Sequence, residues 1–260
     1  MLKDKVAVIY GAGGSVGSAV ALAFAREGAR VFLAGRTLAK LEIVAEKIKA
    51  INGSTDISVI NALHKQEVED HLAAIKDKAG SIDISFNLIG MDDEHGTALT
   101  SMQYEKFVLP ITNSMTSHFI TATAAARYMA KQGAGVILCL TANVARKPYP
   151  VSGGFGVSCA AIEGLCRQLA VEEGKHGVRV VCIRSAGSPD AAGVAEAFKK
   201  HADAAGISAE AFEKEFAQIT MLKRLPLLAE IANTAVLMAS GNASAITAAV
   251  INATCGELAD

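Results

Sequence analysis

The sequence predicts one α/β domain built on a doubly wound parallel sheet of about seven strands, with helices on both faces. Three observations lead there. Short β-branched runs alternate with segments of helical periodicity along all 260 residues. The strand runs, such as Val6-Ala7-Val8-Ile9, are apolar at successive rather than alternate positions, so both faces of each strand must be covered. No linker, internal repeat or low-complexity tract divides the chain, so residues 1–260 are expected to form a single domain.

The elements follow in order. After the Val6–Ile9 strand, Val16 to Arg26 reads as a helix stopped near Gly28. Val31 to Ala34 is the second strand. Thr37 stands at the cap of a helix with Leu38, Leu41, Val44, Ala45 and Ile48 on one face. The third strand is expected over Ile57 to Ile60, followed by a helix to Ala79. Ile82 to Phe86 is the fourth, a long helix from about Asn113 to Lys131 comes next, and Val136 to Leu140 is the fifth. A helix containing Phe155 leads into Val178 to Ile183. Pro226 marks the start of the last helix, and Val250-Ile251 closes the sheet. One segment breaks this rhythm. Pro189 to Arg224 is Ala-rich, helical in pattern and too long for a plain connection. It reads as a helical lid inserted over the carboxyl ends of the strands, where such sheets bind ligands.

Composition narrows the function classes. Half the residues are apolar and the formal charge is -1, which argues against a nucleic-acid scaffold. No apolar run is long enough to span a bilayer, so no membrane partner is expected. The first strand begins at Lys5, leaving nothing for a signal or transit peptide. Five cysteines without CxxC spacing, four of them inside apolar runs, read as reduced core thiols, and a cytoplasmic location is expected. No His, Cys and carboxylate cluster has metal-ligand spacing, so no metal is expected.

The turn after the first strand reads Tyr10-Gly11-Ala12-Gly13-Gly14-Ser15-Val16-Gly17. Glycines there permit a tight turn and close backbone approach to a pyrophosphate, and the helix that follows aims free N–H groups at the anion. The second strand ends Gly35-Arg36. An acid there would hold a ribose 2′-hydroxyl; instead Arg36 offers a planar cation suited to a 2′-phosphate, or it is simply a surface residue before the helix cap. The glycine turn resembles Thr-Gly-x-x-x-Gly-x-Gly of the short-chain dehydrogenase/reductase family, with Tyr10 for Thr and Ser15 for the middle Gly. The family's Asn-Asn-Ala-Gly is matched by Asn87-Leu88-Ile89-Gly90. Its closing pattern is matched by Lys223-Arg224-Leu225, Glu230 to Asn233 and Ser244 to Thr247.

The resemblance spans the chain and implies a Rossmann-like domain that binds NADP, with NAD the less expected cofactor. The implied cofactor-site residues are Gly11, Gly14, Ser15, Val16, Gly17, Arg36, Asn61, Ala62, Leu88, Ile89, Gly90, Ser185 and Ala186. Asp190 stands near a cofactor-contacting Thr of relatives. The resemblance also implies a homodimer or homotetramer through the long helix and the Phe155 helix, with Ala122, Ala124, Ala125, Gly164 and Ala170 permitting close packing.

The family's catalytic positions are substituted. Its Tyr, which protonates the substrate oxygen, falls on Phe155. The Lys four residues later falls on Cys159, the Ser on Ala142 and the Asn on Ser114. Phe155 and Ala142 donate no proton, and a thiol at 159 is no fixed cation. General acid–base catalysis is worth roughly 10²- to 10⁴-fold, so the family's usual mechanism is not expected to run. Tyr149, in the loop before Phe155, is a candidate displaced donor, and Ser114 a candidate water holder. His118 lies one turn past Ser114. Two readings follow. One is an NADP-dependent oxidoreductase with a non-standard donor, acting on a small apolar carbonyl or enoyl substrate sheltered by Val194, Phe198, Phe212, Phe216 and Met221. The other is an inactive homologue that serves as a cofactor sensor or oligomer subunit.

Overall fold

The computed structural model describes residues 1–259. Seven strands form one sheet in the order β3-β2-β1-β4-β5-β6-β7, every neighbouring pair parallel. They are β1 (Val6–Tyr10), β2 (Arg30–Gly35), β3 (Ser54–Val59), β4 (Ile84–Asn87), β5 (Gly135–Ala142), β6 (Val178–Ser185) and β7 (Ala249–Ala253). The helices are α1 (Ser15–Arg26), α2 (Leu38–Lys49), α3 (Lys65–Ala79), α4 (Tyr104–Gln132), α5 (Phe155–Glu173), α6 (Ala192–Ala205), α7 (Ala209–Gln218) and α8 (Leu228–Ala239).

The alternation of side chains explains the continuous apolar strands. Ala7, Ile9, Val31 and Leu33 face one core, which α1, α2 and α8 cover through residues such as Phe24, Leu41 and Ala235. Val6, Val8, Phe32 and Ala34 face the other, under α3, α4 and α5 through Leu72, Ala125 and Ile162. Strand order reverses direction between β1 and β4, which opens a crevice beyond their carboxyl ends.

The expected boundaries shift in instructive places. The long helix starts at Tyr104 rather than near Asn113, and Pro110 lies inside it. Proline forfeits one helical hydrogen bond, but its ring is buried against Gly154 at the head of α5. A Cβ on Gly154 would stand 2.1 Å from the Phe107 carbonyl oxygen, so only glycine lets the two helices meet there. β3 begins at Ser54, earlier than its apolar residues suggest, because it is the edge strand. Its polar Asp56 pairs with Arg30 at 2.9 Å and with Lys78. β5 and β6 run two residues further than expected, so that Ala142 pairs with Ser185 at the lip of the crevice. Thr37 does hold the cap position of α2, but its side chain makes no capping bond. α8 starts two residues after Pro226, with the N–H of Leu228 donating to the Asp190 carboxylate at 3.1 Å.

Ala122, Ala124, Ala125 and Ala170 are buried within this chain's own core, so they are not the free surface of α4 and α5. The exposed apolar side chains of those helices are Phe119, Val157 and Val171 among others. No helix among the described residues is long and apolar enough to cross a membrane.

Candidate active site

One crevice at the carboxyl edge of the sheet gathers nearly every residue singled out from the sequence. It has two chambers that share Gly14, Leu88, Ile89, Gly90 and Asp92. The smaller, about 260 Å³, lies beyond β1 and β2 and includes Gly11, Arg36, Asn61 and Ala62. The larger, about 630 Å³, runs under α6 and α7 and includes Ser15, Val16, Gly17, Ala142, Tyr149, Phe155, Cys159, Ser185 and Ala186. Ser114 lines neither. Its hydroxyl donates to the Ile111 carbonyl at 3.2 Å, within its own helix. Asp190 also stands aside, occupied with the N-terminus of α8.

The glycine turn is built by close approach. Gly11 has φ +74, and a Cβ there would lie 2.5 Å from the Leu88 carbonyl oxygen. A Cβ on Gly17 would lie 2.2 Å from the Gly11 oxygen. Gly14 caps α1 without a side chain. Among the described residues no protein acceptor meets the N–H groups of Ser15, Val16 and Gly17. These unpartnered donors, at the positive end of a twelve-residue helix, form an anion cradle.

At the far end Arg36 is joined by Lys40, one helical turn on, whose Cβ lies 2.8 Å from a Cβ built on Gly13. Spacing alone placed Lys40 within reach of Arg36, yet sequence reasoning passed over it. Asn61 lines the chamber, with its side-chain oxygen accepting from the Leu63 N–H at 3.1 Å. The turn over the crevice floor is held by Asn87. Its amide donates to Thr121 at 3.1 Å and its oxygen accepts from the Ile89 N–H at 3.1 Å. The second Asn of relatives, Leu88 here, is therefore not needed to fix that turn.

The large chamber is apolar above and charged below. Val194, Phe198, Phe212 and Phe216 of α6 and α7 pack together as its roof, but Met221, expected with them, is 67% exposed. Phe155 opens α5. Cys159 is fully buried one turn later, and its thiol is pushed up to about 12, chiefly by burial, so it stays protonated. Tyr149 lies against Phe216 with ring centroids 5.3 Å apart, and its hydroxyl accepts from Asn143 at 3.1 Å. His118 contributes to the wall. Beneath α5, Arg184 grips Glu163 through two 2.8 Å bonds, and Thr141 donates to the same carboxylate at 3.1 Å. Lone charges in an apolar strand and on a buried helical face were the available signal for that pair.

Sequence reasoning also missed a cluster beside Phe155. His95 sits with its ring 5.5 Å from that of Phe155, bonded to Asp93 on one side and to His201 of α6 on the other. Among the described residues no group of three His, Cys, Asp or Glu side chains is placed to hold a metal ion.

A family model described as enoyl-(acyl carrier protein) reductase matches residues 11–257. The chain belongs to the short-chain dehydrogenase/reductase family. It is 29% identical over 254 residues to a 3alpha-hydroxysteroid dehydrogenase of Mediterraneibacter gnavus, covering 97% of this chain and 96% of the relative. It is 30% identical over 253 residues to short chain aldehyde dehydrogenase 1 of Euphorbia lathyris, covering 95% and 85%. A solved NAD+-bound xylitol dehydrogenase superposes with a TM-score of 0.91 at 20% identity, covering 96% of this chain and 98% of that one, which speaks to fold alone. This member of the short-chain dehydrogenase/reductase family thus has an oxidoreductase scaffold of a kind that binds nicotinamide cofactors.

Proposed function

We propose that the protein is an NADP-preferring oxidoreductase with a proton donor other than a tyrosine at 155, acting on a small apolar carbonyl or enoyl compound. The observation that carries this reading is the continuity of one crevice. An open helix N-terminus lies at its middle, Arg36 and Lys40 at one end, and a chamber roofed by aromatic residues at the other. The cradle fits the cofactor, because the tight glycine turn leaves the N–H groups of Ser15, Val16 and Gly17 unpartnered among the described residues at the helix N-terminus, as a pyrophosphate requires. Ser15, Val16 and Gly17 would hold the pyrophosphate, Arg36 and Lys40 a 2′-phosphate, and Ser185 and Ala186 would border the nicotinamide. A bound nicotinamide supplies the hydride-transfer chemistry. The chain supplies shelter from water beneath the segment 189–224, which acts as a lid.

A second reading is a non-catalytic cofactor sensor or oligomer subunit. Phe155, Ala142 and a buried neutral Cys159 at the family's catalytic positions favour it. Calorimetric titration with NADPH and then NADH separates these readings from a dead site. Tighter binding of NADPH, lost selectively in Arg36→Ala by roughly tenfold or more, is expected if Arg36 grips the phosphate in a charge-assisted bond. Absence of heat with either nucleotide would rule out both the oxidoreductase and the cofactor sensor.

A further inference from the structure

We infer that Asp93, His95 and His201 form a proton relay that replaces the missing tyrosine, with His201 as the catalytic acid and base and the other two as positioning residues. The inference rests on the oxidoreductase reading above and supplies its proton donor.

The three side chains form a string. The Asp93 carboxylate accepts from His95 Nε2, and His95 Nδ1 lies 3.0 Å from His201 Nε2. Among the described residues no protein atom bonds Nδ1 of His201, so the string ends in an uncommitted nitrogen on a chamber-lining residue. The geometry holds the rings in place. His95 packs edge-on to Phe155, and His201 stacks on Phe212 at 10° with centroids 5.7 Å apart. The string therefore joins the 88–103 loop to α6 beside the position where relatives carry the tyrosine. His95 and Asp93 are mostly buried, at 10% and 21% side-chain exposure, which strengthens the hydrogen bond to the carboxylate.

The charges around the string set its direction. The loop contributes Asp92, Asp93 and Glu94, α6 contributes Glu196 and Lys200, α5 contributes the neutral Cys159, and α4 contributes His118 and Lys106. Burial raises the Asp93 carboxyl, but bonding to His95 and the nearby Lys200 outweigh this and hold it below its ordinary value. Burial and the adjoining His95 hold His201 at about 4, so it is neutral near pH 7. The string thus runs from a carboxylate, through His95, to a neutral imidazole at His201.

The step balances. In carbonyl reduction a bound reduced nicotinamide would supply the hydride that the substrate carbon takes. The carbon–oxygen π pair passes to oxygen, and oxygen takes the Nδ1 proton of His201. His201 Nε2 recovers a proton from His95 Nδ1, leaving His95 neutral with its Nε2–H on Asp93. Alcohol oxidation runs the same transfers backwards. One proton is delivered per turnover, and His201 is never obliged to become a full imidazolium.

The test uses the whole protein with NADPH and phenanthrenequinone, an apolar dicarbonyl. His95→Asn, His201→Asn and Asp93→Asn are compared for NADPH affinity, quinone reduction against pH, and ¹⁵N-histidine NMR titration. Expected are NADPH affinities within about twofold of wild type and a loss in reduction rate of roughly 10²-fold or more in the two histidine variants. His95→Asn should move the His201 titration, because His95 is part of what holds it down, and Asp93→Asn should alter the pH profile of reduction. The relay is overturned if the histidine variants bind NADPH and reduce the quinone at the wild-type rate, or if only Tyr149→Phe slows it. A His201 titration unmoved by His95→Asn overturns it too, as does NADPH binding by wild type without turnover. Failure of wild type to bind NADPH is a different result, which removes the oxidoreductase reading itself and the relay's role with it.

Discussion

Buried histidine makes the fold acid-sensitive, and His118 gives the clearest case. It lies on α4 at 2% exposure, with Nδ1 2.8 Å from the Ser114 carbonyl oxygen. Since a carbonyl only accepts, Nδ1 carries the proton and Nε2 is bare. Nε2 is buried without a partner, so a second proton would place a charge where nothing receives it. Burial accordingly holds the group at about 4, with the Ser114 carbonyl opposing only in part. In the unfolded chain the imidazole titrates near 6.5. Below that pH the unfolded state binds a proton that the folded state refuses until about 4, so stability is lost across this window as pH falls. Between about pH 7.5 and about pH 5 the loss from this one group is about 2 kcal/mol. His71, 6% exposed and also held at about 4 by burial, adds a loss of the same sign. Urea unfolding followed by circular dichroism at the two pH values measures the total. His118→Gln should shrink the pH-dependent loss by about 2 kcal/mol, whatever it does to stability at neutral pH. An unchanged loss, with unchanged urea dependence, would show that His118 does not titrate as its burial dictates.

Other expectations follow from single contacts. Gly17→Ala puts a methyl 2.2 Å from the Gly11 oxygen, so the turn must open; calorimetry should show NADPH affinity reduced at least tenfold, and thermal unfolding a cost on the order of 1–3 kcal/mol. Glu163→Gln removes the charge opposite buried Arg184 and should cost on the order of 3 kcal/mol, whereas the paired change Glu163→Leu with Arg184→Met should cost less than the sum of its singles. In native protein a thiol reagent should modify Cys255, which is partly exposed, while Cys139, Cys159, Cys166 and Cys182 react only on unfolding.

Much of this architecture was legible in the sequence because burial on both faces writes itself into strands as unbroken apolar runs. The glycine turn was legible for a related reason: only glycine tolerates approaches such as that of Gly17 to Gly11. Polar ends of strands were harder. Thr141-Ala142 and Arg184-Ser185 extend the sheet with little apolar character, since they pair with each other and Thr141, Ala142 and Ser185 line the crevice. The start of α4 was hidden by Pro110, whose helix-breaking chemistry is outweighed by packing that depends on a residue 44 positions away, Gly154. The histidine string was illegible for the same reason of distance. His95 and His201 are 106 residues apart, and neither carries a local pattern that marks it.

Cys159 sits among groups that resist a negative charge. Its thiol is raised mainly by burial, and the neighbouring Cys182, Glu163 and Asp93 push the same way, so the surroundings oppose negative charge at that position. Burial disfavours charge of either sign, so only the Asp93 and Glu163 carboxylates would favour a cation there; the large chamber beside Cys159 has room for a longer side chain. In Cys159→Lys the longer side chain should extend into that chamber, where the Asp93 and Glu163 carboxylates oppose the burial that disfavours its ammonium. Phe155→Tyr alone adds a hydroxyl with no cation to lower its pKa. Combined with Cys159→Lys and Ala142→Ser, it should gain one, visible as a tyrosine that ionises below its ordinary pH in ultraviolet difference titration. The triple variant should then reduce phenanthrenequinone faster than wild type. It should also do so in a His201→Asn background, because its proton no longer passes through the histidines. A triple variant that binds NADPH, folds and leaves the quinone untouched would mean that the chamber has changed shape as well as chemistry, with the ring of His95 5.5 Å from residue 155 as the first place to look.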